Sequence, residues 1–342
     1  SFLARAGRRK RLLGQSGARL FMEHSIAIVI PSYNVRDTVL GVIETIPAFV
    51  GKIYVVDDAW PQETGRYVEA QCADSRVCVL RMERNSGVGA ATLHGFAQAF
   101  ADGADVAVKV DGDGQMRIEY LPDLLAPLVT GRADFSKGNR FFDLKRLAQM
   151  PVVRRIGNIG LSLLTKFASG HWHISDPTNG FIAIHRAAFS RLSEELIAKR
   201  FFFETSLLVH LNIIRATVVD VPVPARYGDE TSNLSVVRSF FEFPLKLAHH
   251  FCRRVLFRYF LLDINAATVF FVTGLLLFLS GSGFAIYRWY EGAMSGTVAL
   301  ALTPTVLGAQ MILQAILIDI ITPPAHPIQA FQLKHKRSSD AL

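Results

Sequence analysis

The stretch Val106–Met116 reads VAVKVDGDGQM, an apolar strand pattern that runs into two aspartates one glycine apart. Like charges this close repel unless a cation or a strong set of donors offsets them. At a strand end, Asp111 and Asp113 can hold a hard divalent cation, and Mg²⁺ or Mn²⁺ suits oxygen ligands of this kind. Such an ion would neutralise a departing diphosphate. A lone D-x-D also fits an acidic surface turn, so its weight rests on its neighbours. Asp57-Asp58 closes a second apolar run, KIYVVDDAW, and Gln115 follows Asp113 by two residues.

These acids need a scaffold. Across about residues 25–230, short apolar runs (SIAIVIPSYN, KIYVVDDAW, VCVLRM, VAVKVDGDG) alternate with helical patterns such as RDTVLGVIETIPAFV and GVGAATLHGFAQAFADG. That alternation predicts a parallel sheet with helices on both faces. Ligands of such sheets bind beyond the carboxyl ends of the strands, so Asn34, Asp57, Asp58, Asp111 and Asp113 should converge on one rim. In RNSGVGAATLHG, Gly87-x-Gly89 follows a strand and opens a helix as a dinucleotide fingerprint would, but Thr92 fills the third glycine position. The loop reads instead as a polar turn able to meet an anion at a helix N-terminus, with a purely structural glycine turn as the alternative.

The last third is different in kind. Residues 233–262 interleave aromatic and aliphatic side chains with Arg238, Lys246, Arg253, Arg254 and Arg258, the pattern of a helix in a membrane interface. Residues 264–287 carry no charge, and residues 297–321 carry only Asp319, expected to reach the interface from near its helix end. Both stretches are long enough to cross a bilayer, and Pro304 should kink the second. The connector between them holds one basic residue, Arg288, whereas the flanks hold many, including Lys334, Lys336 and Arg337. Positive-inside then puts the first zone and both flanks in the cytoplasm. The net charge of +8 owes six units to Arg5, Arg8, Arg9, Lys10, Arg11 and Arg19, so residues 1–24 read as a disordered or interfacial basic arm rather than a nucleic-acid site. Cys72, Cys78 and Cys252 have no metal or disulfide spacing, in keeping with a reducing compartment.

The motifs IVIPSYN, VVDDAW, RNSGVGAA, VDGDGQ and DPTNGF occur in an order and at spacings that resemble GT-A glycosyltransferases of family 2, over about residues 26–235. With two spans behind it, the chain resembles the membrane-bound polyprenyl-phosphate glycosyltransferases of the dolichyl-phosphate mannose synthase and undecaprenyl-phosphate glucosyltransferase types. The resemblance implies an α/β fold: a GT-A (Rossmann-like, mainly parallel sheet) catalytic domain over 25–232, amphipathic interfacial helices over 233–262, two transmembrane helices over 263–322 and a cytoplasmic tail over 323–342. It implies an inverting transfer from a nucleotide-diphosphate sugar, UDP favoured, to a polyprenyl phosphate, with undecaprenyl phosphate expected, Mg²⁺ or Mn²⁺ as cofactor, and a bacterial inner membrane as the location. Homo-oligomerisation is compatible with it.

By position, Pro31, Tyr33, Asn34, Asp57, Asp58 and Gly87 would line the nucleoside site. Asp111 and Asp113 would hold metal and donor, with Gln115 close by. Asp176 and Asn179-Gly180-Phe181 match a segment that faces the transferred sugar, and Arg140, Arg226 and Ser232 match positions near acceptor phosphate. The chain departs from the family pattern at Val35, at Trp60-Pro61-Gln62 and at Asn233, which leaves donor identity open. A phosphate monoester is largely dianionic at pH 7 and needs placement more than a base. Glu204, a lone acid in FFFETSLL, reads as a buried partner for a cation or as a sugar contact. Two other readings remain. A processive synthase is disfavoured because Ala285 stands where a Gln-x-x-Arg-Trp motif needs glutamine, and a catalytically inactive membrane-anchored binder because both Asp111 and Asp113 are present.

Overall fold

The computed structural model describes residues 20–142, 152–224, 236–292 and 295–330. Seven strands, β1 (Ile26–Ser32), β2 (Lys52–Asp57), β3 (Val77–Arg81), β4 (Val106–Lys109), β5 (Phe135–Asn139), β6 (Ile182–His185) and β7 (Val218–Pro222), form one sheet in the order β3-β2-β1-β4-β6-β5-β7. β6 runs antiparallel to β4 and β5, and the other pairs are parallel. The expected mainly parallel α/β sheet is therefore present. The helices of this unit include α1 (Arg36–Glu44), α2 (Thr64–Gln71), α3 (Val88–Ala101), α4 (Leu121–Val129), α5 (Val152–Ser169) and α6 (Phe203–Ile213).

Strand alternation builds two cores. On β1, Ile26, Ile28 and Ile30 enter one apolar cluster, while Ala27 and Val29 enter another across the sheet. All seven β1 residues are buried, as expected for a strand covered on both faces. On α5 the apolar surface is not all covered, and Ile159, Leu163 and Leu164 are about half exposed.

The described residues up to 250 and from 324 on form one compact unit, and those between 251 and 323 a second. Chain from beyond the second span is thus part of the first unit. Buried Asp134 accepts hydrogen bonds from the amides of Thr217 (2.9 Å), Ile328 (2.9 Å) and Gln329 (3.1 Å). The Gln329 side-chain amide donates to the carbonyls of Leu128 and Ala133. Asp134→Ala would strand two buried amides, Ile328 and Gln329, and the part-buried amide of Thr217, an expected loss of about 3–5 kcal/mol. The check is denaturant unfolding together with amide exchange. Exchange at Ile328 and Gln329 should become fast while β1 stays protected.

α7 (Val236–Leu256) leads into the second unit and is followed there by one π-type turn, Phe257–Leu261. α8 (Ala266–Tyr290) and α9 (Ser295–Ile321) are long and apolar enough to cross a membrane, with mean hydropathy 2.1 and 1.7 over their spanning parts. At about 1.5 Å per residue, either exceeds a hydrocarbon core of about 30 Å. Small residues let the two pack closely: a Cβ on Gly274 would lie 2.9 Å from the Gly308 carbonyl, and one on Gly281 would lie 2.6 Å from Thr305 Oγ1. Pro304 lies inside α9 without ending it.

Two expectations for this unit change. Asp319 does not stand alone near a helix end. The Arg254 guanidinium forks onto it at 2.8 and 3.0 Å, and the Tyr259 hydroxyl donates to it. A charge in an apolar span is retained where a partner neutralises it. Accordingly Arg254 and Arg258 are buried rather than turned to a headgroup layer, and only part of the basic set of residues 233–262 is outward.

Candidate active site

Parallel register delivers the rim. Ser32 pairs with Asp57, so β1 and β2 end together; Val29 pairs with Lys109, so β4 ends three residues earlier and Asp111, two residues further on, comes back to about the level of the β1 end. Asn34 adopts φ 58°, a left-handed conformation that asparagine tolerates, as the chain turns off β1. Asp57 and Asp58 are buried and already at work on the backbone. Asp57 accepts from the amides of Trp60 (3.1 Å) and Gly65 (2.7 Å), and Asp58 from those of Ser86 (2.7 Å) and Gly87 (2.8 Å). Asp58 thereby pins the turn before α3, whose Gly87 adopts φ 97°. The Ser86 and Gly87 amides expected to meet an anion are thus committed to Asp58.

Beside Asp57 opens a cleft of about 880 Å³ whose lining includes Trp60, Arg66, Arg81 and Met82. The half-exposed Tyr33 ring meets Trp60 edge-on at 4.6 Å, and Pro31 is buried at the end of β1. An aromatic edge of this kind offers a flat ligand a stacking surface.

Beyond β4, the Asp111–Asp113 turn is held from both sides. Thr38 Oγ1 donates to the Gly112 carbonyl at 2.6 Å, and the Gln115 amide donates to Asp113 Oδ1 at 3.0 Å. The Asn179-Gly180-Phe181 turn is brought directly against it. A Cβ on Gly180 would lie 2.5 Å from Lys109 Nζ, 2.8 Å from Asp111 Oδ2 and 3.2 Å from Met116 Cε. Gly180→Ala should therefore displace the Asp111 carboxylate. The expected result is a loss of up to about 10²-fold in donor kcat/KM with a stability cost of about 1–3 kcal/mol. Calorimetric titration of the donor nucleotide beside thermal unfolding separates the two effects.

On the other side of that turn, Asp176 is fully buried and accepts from Arg140 three times: from its amide (3.1 Å), from Nε (2.7 Å) and from Nη2 (3.0 Å). The fork read as an acceptor-phosphate contact is here closed on Asp176. Arg226 and Ser232 lie outside the described residues. Sequence reasoning passed over two lysines in this layer. Lys109 on β4 and Lys137 on β5 both pair in register with Ile182 of β6, so they share one sheet face. Both are buried. Lys109 Nζ reaches Asp111 Oδ1 at 2.6 Å and Glu204 Oε1, on α6, at 3.4 Å. Lys137 donates to the Asn179 carbonyl, while the Asn179 side chain donates to the Gly138 carbonyl at 2.7 Å. The available signal was a lysine inside each apolar strand, VAVKV and DFSKG.

Residues 27–193 match the family described as glycosyl transferase family 2. The chain carries a family 2 glycosyltransferase domain. Among curated proteins it is 28% identical over 218 residues to the UDP-N-acetylglucosamine–dolichyl-phosphate N-acetylglucosaminyltransferase of Methanococcus voltae, covering 60% of this chain and 86% of that one. It is 28% identical over 209 residues to the undecaprenyl-phosphate mannosyltransferase of Micrococcus luteus, covering 58% and 82%. Among solved structures, glucosyl-3-phosphoglycerate synthase from Mycobacterium tuberculosis, crystallised with UDP, matches with a TM-score of 0.53 at 18% identity, over 70% of this chain and 84% of that one. Crystals of that synthase also hold Mn²⁺ with UDP-glucose. The fold is thus that of the GT-A enzymes.

Within the glycosyltransferase domain, Asp111 and Asp113 suit a hard cation in type and spacing, and both are partly exposed at the rim. Among the described residues, no group of three or more His, Cys, Asp or Glu side chains gathers to hold a metal ion. A cation on this pair would therefore draw its remaining ligands from substrate oxygens and water, which fits a site that handles a diphosphate.

The buried charges shift one another. Burial disfavours the Lys109 ammonium, but Asp111 and Glu204 outweigh that and hold its proton above the usual lysine range. Burial pulls Lys137 down to about 8, with Glu204 and Asp176 opposing and Lys109 and Arg140 adding to the fall. Asp220 on β7 accepts from the Ser175 amide (2.8 Å) and the Asn139 side chain (2.9 Å) on one oxygen, while its other oxygen is buried with no hydrogen-bond partner. Burial, with Asp176 adding, pushes its carboxyl up to about 6. A raised carboxyl contributes stability that is present below about pH 4 and lost as pH rises through about 6. Asp220→Asn should remove that slope and stabilise the protein at pH 7 by about 2–3 kcal/mol, read as the difference between variant and parent in denaturant unfolding at pH 4 and pH 7.

Proposed function

We propose that this glycosyltransferase moves a sugar, with inversion, from a UDP-sugar to a membrane polyprenyl phosphate. The observation that carries the reading is the contact between the D-x-D turn and the Asn-Gly-Phe turn. The backbone at Gly180 passes so close that a Cβ there would lie 2.8 Å from Asp111 Oδ2, which sets the segment expected to face the sugar beside the D-x-D turn. The two curated relatives described above are named for polyprenyl-phosphate acceptors, and one of them for a UDP-linked sugar. The apolar helices α8 and α9 and the exposed apolar side chains of α5 suit an enzyme that meets its acceptor at a lipid surface.

In this reading, Tyr33, Trp60 and Asp57 receive the nucleoside, and Asp58 keeps the turn before α3 in place through Ser86 and Gly87. Asp111 and Asp113 hold a divalent cation whose chemistry is to neutralise the departing diphosphate. Gln115 stands beside the same turn, through an amide bonded to Asp113. The acceptor phosphate arrives already ionised, so no side chain has to abstract a proton. Asp176 holds Arg140 at the sugar side of the site, and the acceptor phosphate is left to Arg226 and Ser232 in the segment before α7. In this reading the catalytic unit is cytoplasmic, because the flanks of the two apolar helices hold many basic residues and the connector between them only Arg288.

The test is transfer by purified protein in detergent with a polyprenyl phosphate, Mg²⁺ or Mn²⁺, and a panel of radiolabelled sugar nucleotides. Organic-extractable label that depends on the lipid phosphate and on metal supports the reading. Label passing only to water or to a growing polymer overturns it.

A further inference from the structure

Resting on the reading of Asp111 and Asp113 as the cation pair, we propose that Lys109 is a positioning residue that serves as a built-in counter-cation. It occupies the Asp111 carboxylate when no donor is bound, and Glu204 is the alternate partner that receives its ammonium when a divalent cation takes the carboxylate. The geometry is specific. Lys109 is the last residue of β4, and its side chain is 2% exposed whereas that of Asp111 is 34% exposed. Among the described residues two carboxylates pair with it, Asp111 Oδ1 at 2.6 Å and Glu204 Oε1 at 3.4 Å. The move from one to the other is under an ångström of extra closure, within the freedom of a four-carbon stem.

Charge explains why the pair is built this way. A buried lysine is costly without an anion, and Glu204, 12% exposed on the first turn of α6, is equally costly without a cation. Together they are neutral and leave Asp111 to alternate between an internal and an external cation. The ammonium competes with a divalent ion for Asp111 and repels it at short range. Resting affinity for metal is thereby kept low until substrate oxygens add their charge, so the ion enters with the donor diphosphate and leaves with the nucleoside diphosphate.

The experiment is Mn²⁺ titration of the full-length protein in detergent, followed by the electron paramagnetic resonance of free Mn²⁺, with and without UDP and with no turnover. Lys109→Met with Glu204→Gln removes one positive and one negative charge, so the net charge of the layer is unchanged and Lys137 keeps Asp176 as its nearby anion. It should bind Mn²⁺ at least tenfold tighter than the parent in the absence of UDP, with a much smaller gain on adding UDP. Glu204→Gln alone commits Lys109 to Asp111 and should bind Mn²⁺ at least tenfold more weakly. A pair that only holds the fold would shift the melting temperature of the single variant, restore it in the double variant and leave both Mn²⁺ affinities at the parent value, which overturns the inference. A parent that binds no Mn²⁺ with or without UDP overturns the metal-pair reading itself, a distinct result.

Discussion

Replacing Asp113 by asparagine is expected to lower turnover by about 10²–10³-fold, the scale of losing one charge aimed at the leaving group. Stability should hardly change. Asparagine keeps an oxygen for the Gln115 amide, the bond that shapes the turn after Asp113, and the residue is only partly buried. The same change at Asp111 would be harder to interpret, because it also withdraws an anion from buried Lys109. The measurement is steady-state transfer across a range of Mn²⁺ concentrations, beside thermal unfolding. A loss recovered by raising Mn²⁺ would mean weakened metal binding, and a loss that persists would mean weakened charge stabilisation. Parent-like turnover at all Mn²⁺ concentrations would remove Asp113 from the site.

The strand-end acids could be read from sequence because two local signals coincide there. Continuous burial of short apolar runs marks β1, β2 and β4, and an acid that follows such a run has to lie at the carboxyl edge of a parallel sheet. Asp57, Asp58, Asp111 and Asp113 follow from that rule alone. The remainder depends on contacts between residues far apart in the chain. Lys109 and Glu204 are 95 residues apart, and nothing local in VAVKV distinguishes a lysine that reaches a buried acid from one that reaches water. Asp134 looks like a turn residue, yet its partners Ile328 and Gln329 lie beyond both apolar helices. Asp319 lies in the last turn of α9 as expected, but its pairing is hidden for the same reason: its neutraliser, Arg254, is 65 residues upstream and resembles any other basic residue of an interfacial helix. The reversed direction of β6 is another such case, since a four-residue apolar run carries no sign of its orientation.

The buried layer beneath the Asn-Gly-Phe turn gives the second large effect. Asp176→Asn should destabilise the protein by about 3–5 kcal/mol, the range for removing one partner of a buried ion pair. Asp176 has no exposed surface and is the anion that Arg140 forks onto, and it also opposes the depression of Lys137. Without its charge, Arg140 and Lys137 would face one another across a site with less negative charge, and Lys137 would lose its proton more readily. Arg140→Met should cost at least as much, because it leaves the fully buried Asp176 carboxylate without its forked cation, whereas the Arg140 left by Asp176→Asn is 39% exposed and can turn to water. Losses of this size distinguish a buried anchor from a surface bridge. Denaturant unfolding of both single variants and the double variant at pH 7 measures them, and small losses in both single variants would show that the fork contributes little. Donor titration of the same variants then isolates the chemical role. If Asp176 also touches the transferred sugar, Asp176→Asn loses sugar-nucleotide affinity relative to UDP alone, whereas an anchor for Arg140 weakens both ligands alike.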